Sequence, residues 1–279
     1  VPLMNKRYPD WKTKDQDTIA SYVDAIAGDV QDYLNNFYDI LSVKVFNVPA
    51  DKHRLEIKKE FVAKAGLWVA KKRYAQWIIM NNGVPMDKLD VKGLDVKRSS
   101  FPKAFQKFMS TMLKDILMGK DHEYIDDTLL TFKKSLPTLP VNTIAKGGAL
   151  KELSKYDKGN WKSGDAVANF EKGTPAHVKA GITYNRLLKF FNCPYKHEPI
   201  RDGDKVKWVY LKDNPLGLDG LAFTGYNDPP QIEEFIETYI DRNKIFEREL
   251  RFKLQDFYDA IGWGEMISEQ KTAEKFFNF

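Results

Sequence analysis

The chain has 279 residues, of which 43% are hydrophobic and 13% aromatic, ample for one large core or two ordinary ones. A formal charge of +5 permits an acidic partner such as nucleic acid without requiring one. The lone cysteine, Cys193, excludes an intrachain disulfide and a cysteine metal cluster and fits a reducing cytoplasm. The sequence shows neither an apolar run near the roughly 18 residues that span a bilayer nor, in "VPLMNKRYPDWKTKD", the apolar segment of a signal peptide.

Val1 is not an initiator and Met4 is a candidate start, so a piece of something longer is expected. From Asp17 to Leu41, apolar residues recur at helical spacing, with Asp17 or Thr18 as the expected cap. "HRLEIKKEFVAK" and "GLWVAKKRYAQWIIM" read as two strands separated by a Gly, and "NNG" before "VPMDKLDV" completes an antiparallel meander. After "LDVKGLDVK", the stretch "RSSFPKAFQKFMSTMLKDILMGK" reads as a helix with Ser99 or Ser100 as cap, Pro102 in its first turn and Gly119 as stop. A second helix follows from Asp121 to Leu136. Residues 137–175 are rich in Gly, Lys, Ser and Pro and read as an irregular segment. Beyond them come a short helix around "ITYNRLLKFF", a hairpin turning at "RDGDK" into "VKWVYL", and helix from Gln231 to Trp263. The expected fold is α+β: a small antiparallel sheet with a long helix, then a mainly helical part with a short β-hairpin, the boundary lying near Leu94.

Charge is unevenly spread. Lys64 to Lys107 holds ten Lys and Arg against three Asp, while the rest of the chain has 34 basic and 36 acidic residues. This basic region is a discrete feature. It contains Lys71, Lys72, Arg73 and Tyr74. Strand alternation puts Lys72 and Tyr74 on one pleat and Lys71 and Arg73 on the other. A Lys beside a Tyr suits the acceptors that every base pair offers in a minor groove; a solvated edge strand guarded by Lys is the plain alternative. "VKRSSFPKA" joins Lys97, Arg98, Ser99 and Ser100 to a helix start, a pattern that suits a phosphate, although simple N-capping explains the serines equally well. "HVKAGITYNR" gathers His177, Lys179, Thr183, Tyr184, Asn185 and Arg186, donors of the kind that grip a sugar-phosphate backbone.

Catalytic constellations are missing. His53, His122, His177 and His197 are scattered without zinc-ligand spacing, and "KGGALKE" lacks the Gly-Lys-Ser/Thr ending of a phosphate loop. "DGD" at Asp202 to Asp204 reads as a turn rather than a carboxylate pair around Mg²⁺. The terminal Phe276, Phe277 and Phe279 form an aromatic cluster, either a docking peptide or a tail packed back on the body.

Taken in order, "KKRYA", "SSFPKA", "KYD" at Lys155 to Asp157, "HVKAGITYNR", "NPLG" at Asn214 to Gly217 and the terminal Phe cluster resemble the C-terminal part of family B DNA polymerases of T-even-like bacteriophages, from about Leu34 to Phe279. The resemblance implies that residues 1–93 are the last part of the palm and 94–279 the thumb with a clamp-binding tail. It implies minor-groove contacts at the primer end for Lys72 and Tyr74, duplex contacts for Arg98, Ser99 and Ser100, and thumb contacts for Lys179, Tyr184 and Arg186. By the same likeness Phe276, Phe277 and Phe279 are a sliding-clamp peptide. The implied partners are primer-template DNA, the clamp and an N-terminal polymerase part carrying exonuclease, fingers and catalytic palm, all in a bacterial host cytoplasm. Mg²⁺ belongs to the complete polymerase, since the family's Asp-Thr-Asp-Ser and Ser-Leu-Tyr-Pro motifs do not occur here, and no cofactor is expected for this chain. "HVKAG" departs from the family pattern with Lys and Ala in place of Arg and Gly. The main expectation is thus a palm and thumb portion, either truncated or one subunit of a split enzyme and inactive alone. The alternative is a non-catalytic duplex-binding accessory protein that docks on a clamp.

Overall fold

The computed structural model describes residues 1–157, 162, 166–193 and 196–266. The fold is α+β, and the chain divides into two compact units, Val1–Lys92 and Gly93–Phe279.

In the first unit, α1 (Pro2–Arg7) leads to the long helix α2 (Gln16–Ile40). Its cap is Asp15, upstream of the expected Asp17 or Thr18: Oδ1 accepts the Thr18 N–H at 2.9 Å and Oδ2 accepts the Thr18 hydroxyl at 2.6 Å. Past Ile40 the helix widens into a single π turn, Leu41–Val45. Residues 53–60, expected in a strand, are extended but pair with α2 instead. The Asn35 side-chain amide donates to the Ile57 carbonyl (3.1 Å) and accepts its N–H (2.8 Å), while Gln31 accepts the Lys59 N–H (2.8 Å). These side chains satisfy the backbone groups that a ladder would otherwise take.

The sheet is a meander of β1 (Phe61–Ala70), β2 (Arg73–Asn81) and β3 (Val84–Lys92) in that order. Gly66 lies inside β1, so "GLWVAKKRYAQWIIM" is not one strand; it is a hairpin that reverses at Lys71 and Lys72. The reversal is made by Lys72 in the left-handed region at φ 63°, which brings Ala70 opposite Arg73. The second turn follows the sequence expectation, with Asn82 and Gly83 both at positive φ. Register aligns Leu67, Ala75 and Val91, all buried, on one face. Ala20 of α2 packs with Val62, Ile79 and Met80, flanked by Val23 and Trp77.

The second unit begins with α3 (Lys103–Leu117) and α4 (His122–Ser135). Ser99 and Ser100 do not cap α3: its N-cap is Pro102, and the preceding turn is held by Gln106 Nε2, which donates to the carbonyls of Arg98 (2.6 Å) and Phe101 (3.1 Å). α4 is capped by Asp121, the expected first residue of the helix, which instead stands just outside it and accepts the Tyr124 N–H at 3.0 Å. The segment read as irregular carries α5 (Val141–Ile144), β4 (Lys146–Ala149) and α6 (Leu153–Tyr156). After α7 (Ala176–Phe190), β5 (Lys205–Tyr210) pairs with β4 on one side and β6 (Gly220–Phe223) on the other. "RDGDK" is therefore a turn, as expected, but not the turn of a local hairpin; Gly203 donates to the Leu150 carbonyl at 2.8 Å and ties the turn to the end of β4.

The C-terminal helical stretch is broken into α8 (Pro230–Tyr239), α9 (Arg242–Phe246), a π segment (Glu247–Arg251) and α10 (Phe252–Ile261). Ile240 pauses between α8 and α9 to bridge Leu211, and Asp241 caps α9 through the Lys244 N–H at 2.8 Å. α10 is clasped to α4 inside the core, where the Tyr258 hydroxyl donates to Asp126 Oδ1 at 2.7 Å. Stacked Phe108 and Phe132 join α3 to α4, with ring centres 4.1 Å apart.

Candidate nucleic-acid interface

In the first unit the basic residues cluster at a hairpin tip. Lys71 and Lys72 are exposed in the turn, while Arg73 and Tyr74 begin β2 and are half-buried. The common pleat inferred for Lys72 and Tyr74 does not exist, because Lys72 is a turn residue and strand alternation starts only after it. What Tyr74 does share is a cross-strand row: it lies opposite Trp68 of β1 and Lys92 of β3, on the face away from buried Leu67, Ala75 and Val91. Trp68 is 64% exposed, and its ring lies over Gly66, where a methyl would collide at 2.4 Å. Reading the sequence missed Trp68; correct register would have found it. An exposed indole, a phenol and the Lys92 ammonium, which lies 3.3 Å from Asp90, provide stacking surface and donors together on one outward face.

In the second unit the Arg98–Ser100 turn is exposed and backed by β4. The Gly147 N–H donates to the Ser100 carbonyl at 2.9 Å, and a methyl at Gly147 would meet Ser100 Cα at 3.1 Å. A relay of charges runs behind it. Arg98 pairs with Asp95 at 2.8 Å, Asp95 with Lys253 at 3.7 Å, Lys253 with Glu249 at 3.5 Å, and Glu249 with Lys146 at 2.7 Å. Glu249 is buried, so its two lysines are its counter-charges. Nothing local in the sequence reveals this relay, which joins residues more than a hundred positions apart.

Like charges crowd the same neighbourhood. The Lys207 ammonium is held below its ordinary pKa by burial and then by Lys103, and the His177 imidazole is pushed below 6.5 by burial and then by Lys146. Lys207 donates to the Asn142 carbonyl at 2.9 Å, and the His177 ring borders Gly148 of β4. Lys103 and Lys207, whose mutual repulsion an anion would relieve, suit an anionic partner, with the His177 imidazole held neutral beside Lys146.

The three α7 residues for which the resemblance implies thumb contacts, Lys179, Tyr184 and Arg186, separate by exposure. Lys179 is half-buried, its Nζ 5.7 Å from the centre of the Phe170 ring, beside a cavity of about 150 Å³ that Thr183, Trp208 and Tyr210 also line. Tyr184 is buried, its hydroxyl pushed well above the ordinary range by burial first and Asp228 second. Arg186 is buried too. Its Nη1 donates to the carbonyls of Val167 (2.9 Å) and Asn169 (2.7 Å), its Nη2 to Asp157 (3.1 Å), and its guanidinium sits 4.8 Å from the Phe170 ring centre. The direct contacts implied for Tyr184 and Arg186 are therefore corrected, since both are buried: the Tyr184 hydroxyl faces Asp228, and the Arg186 guanidinium binds Asp157, Val167 and Asn169 ahead of α7, with its Nε left unpartnered among the described residues. Phe276, Phe277 and Phe279 lie outside the described residues.

Among the described residues no group of three or more His, Cys, Asp or Glu is placed to hold a metal ion, and no helix is long and apolar enough to cross a membrane.

Comparison with known proteins gives this geometry a family. The family model for DNA polymerase family B matches residues 37–249. A DNA-directed DNA polymerase of Enterobacteria phage T4 is 26% identical over 215 residues, covering 76% of this chain and 22% of that protein. A DNA-directed DNA polymerase of Escherichia phage RB69 is 26% identical over 200 residues, covering 70% of this chain and 21% of that protein. The chain spans about a fifth of the length of these relatives. With most of its length matched in this way, the chain belongs to DNA polymerase family B.

Proposed function

We propose that the chain is the C-terminal palm and thumb portion of a phage replicative DNA-directed DNA polymerase, residues 1–93 closing the palm and 94–279 forming the thumb. The observation that carries this reading is the family B match over residues 37–249. Its work is positioning. Lys71, Lys72 and the Trp68–Tyr74–Lys92 row face the primer-template duplex from the hairpin, and the Arg98–Ser100 turn with Lys103, Lys207 and His177 grips phosphates. The phenylalanine tail holds the sliding clamp. Phosphoryl transfer belongs to a polypeptide carrying the family's two aspartate motifs and its Mg²⁺, neither motif being present in these 279 residues.

The test is reconstitution. The purified chain, mixed with the polypeptide of the same genome that carries the Asp-Thr-Asp-Ser turn, is expected to extend a matched primer, while each component alone does not. Duplex affinity of the chain alone is expected to fall linearly on a log scale with salt, by a slope of about −0.9 per phosphate contacted. A chain that neither restores extension nor binds duplex contradicts the proposal.

A further inference from the structure

The two units differ in how well they cover their own apolar residues. Residues 1–92 bury nine apolar side chains, from Met4 to Val91, and leave thirteen large ones exposed; the described part of the second unit leaves five exposed while burying several times as many. The excess is ordered along α2. Val30, Tyr33, Phe37 and Ile40 are exposed and fall within an arc of about 80° on the helix at roughly 100° per residue. Tyr33 is 71% and Phe37 46% exposed. Beyond the π turn, Phe46 is exposed as well.

Such a stripe marks a contact, because an amphipathic helix of 25 residues gains its stability by burying its apolar face. α2 carries five Asp and no Lys or Arg, so the occupant is not a phosphate backbone. Asp24 and Asp29 are paired within the unit to Lys59 and Arg7, and Asp39 lies 3.0 Å from His53, while the helix itself has no basic group to offer a partner. A second copy would bring together two helices that carry no Lys or Arg of their own, so charge pairing across such an interface would have to draw Arg7 or Lys59 away from their own aspartates. The matched segment begins at residue 37, within this stripe, and the T4 relative extends well beyond it, the match covering only 22% of that protein.

We propose that the Val30–Tyr33–Phe37–Ile40 stripe is the seat of the polypeptide that carries the catalytic aspartates, through an apolar surface flanked by basic residues. This rests on the polymerase reading above and names the surface through which the two parts join. Aromatic anchors at the centre of such a contact carry most of its affinity.

The probe is the same-genome polypeptide with the Asp-Thr-Asp-Ser turn. Its affinity for the 279-residue chain is measured by titration calorimetry, with primer extension followed in parallel. The double variant Tyr33→Asp, Phe37→Asp is expected to lose about thirtyfold or more in affinity for the probe. Its own duplex affinity and helix content by circular dichroism should stay unchanged, because both side chains are exposed. Wild-type affinity in the double variant, with extension intact, overturns the stripe as the seat and leaves the polymerase reading standing. A wild-type chain that neither binds the probe nor restores extension overturns both. A concentration-dependent dimer of the chain alone in sedimentation, abolished by the double variant, assigns the stripe to a second copy and overturns the proposal.

Discussion

Lys72 combines two properties at one position: a charge at the hairpin tip and a left-handed backbone that disfavours any side chain with a Cβ. Lys72→Gly separates them. It relieves the backbone, with an expected gain in stability of up to about 1 kcal/mol in thermal melts, and it removes one charge from the hairpin tip. The salt slope of duplex binding should then become shallower by about one unit; an unchanged slope places Lys72 away from DNA. His177 supplies a second residue-level prediction. Its folded pKa lies below 6.5, so between that depressed value and 6.5 the unfolded chain binds a proton that the folded chain refuses. Stability contributed by the neutral imidazole is present above about pH 6.5 and is lost as the pH falls through this window. Melting temperatures of His177→Gln across pH 5 to 8 should accordingly fall less steeply on the acid side than those of the wild type. At this scale the sequence was informative about residue type and weak about exposure. Basic and aromatic residues in "KKRY" and "TYNR" are visible in one dimension, whereas the burial of Arg186 depends on carbonyls seventeen and nineteen positions away that no local pattern announces.

Elements were legible where one periodicity ran without interruption. α2, α3 and α4 follow from their apolar spacing, and the Asn82–Gly83 turn from its composition. The Lys71–Lys72 turn was hidden because neither residue is a usual turn former, and β4 because its Gly-rich sequence becomes a strand only by pairing with β5 some sixty residues later. The joint between α4 and α10 is equally non-local and includes a buried hydrogen bond from Tyr258 to Asp126, with His122 3.7 Å from the other carboxylate oxygen. Tyr258→Phe leaves Asp126 without that donor at an expected cost of about 2 kcal/mol, read as a fall in Tm of roughly 4–8 °C. Replacing Asp126 by Leu in the same background removes the stranded carboxylate and should recover part of the loss. Equal melting of wild type and Tyr258→Phe shows that the clasp contributes nothing.

For the whole molecule, the boundary between Lys92 and Gly93 separates parts of unequal self-sufficiency. The second unit encloses Phe105, Met112, Leu113, Ile125, Phe257 and Tyr258 almost completely, while the first has one thin layer between α2 and its sheet. Expressed separately, residues 93–279 should melt in a single cooperative transition, and residues 1–92 should not, as followed by circular dichroism; cooperative melting of both pieces contradicts this ranking. With the stripe on α2 as the proposed seat and the basic turns as the proposed grip, ionic strength is expected to have two opposite effects on one polypeptide. Added sulfate loosens a grip built from lysines and phosphates, yet tightens the association of oily surfaces by raising the penalty for wetting them. On the proposed function, salt is thus a dial that trades hold on the nucleic acid against cohesion between protein parts.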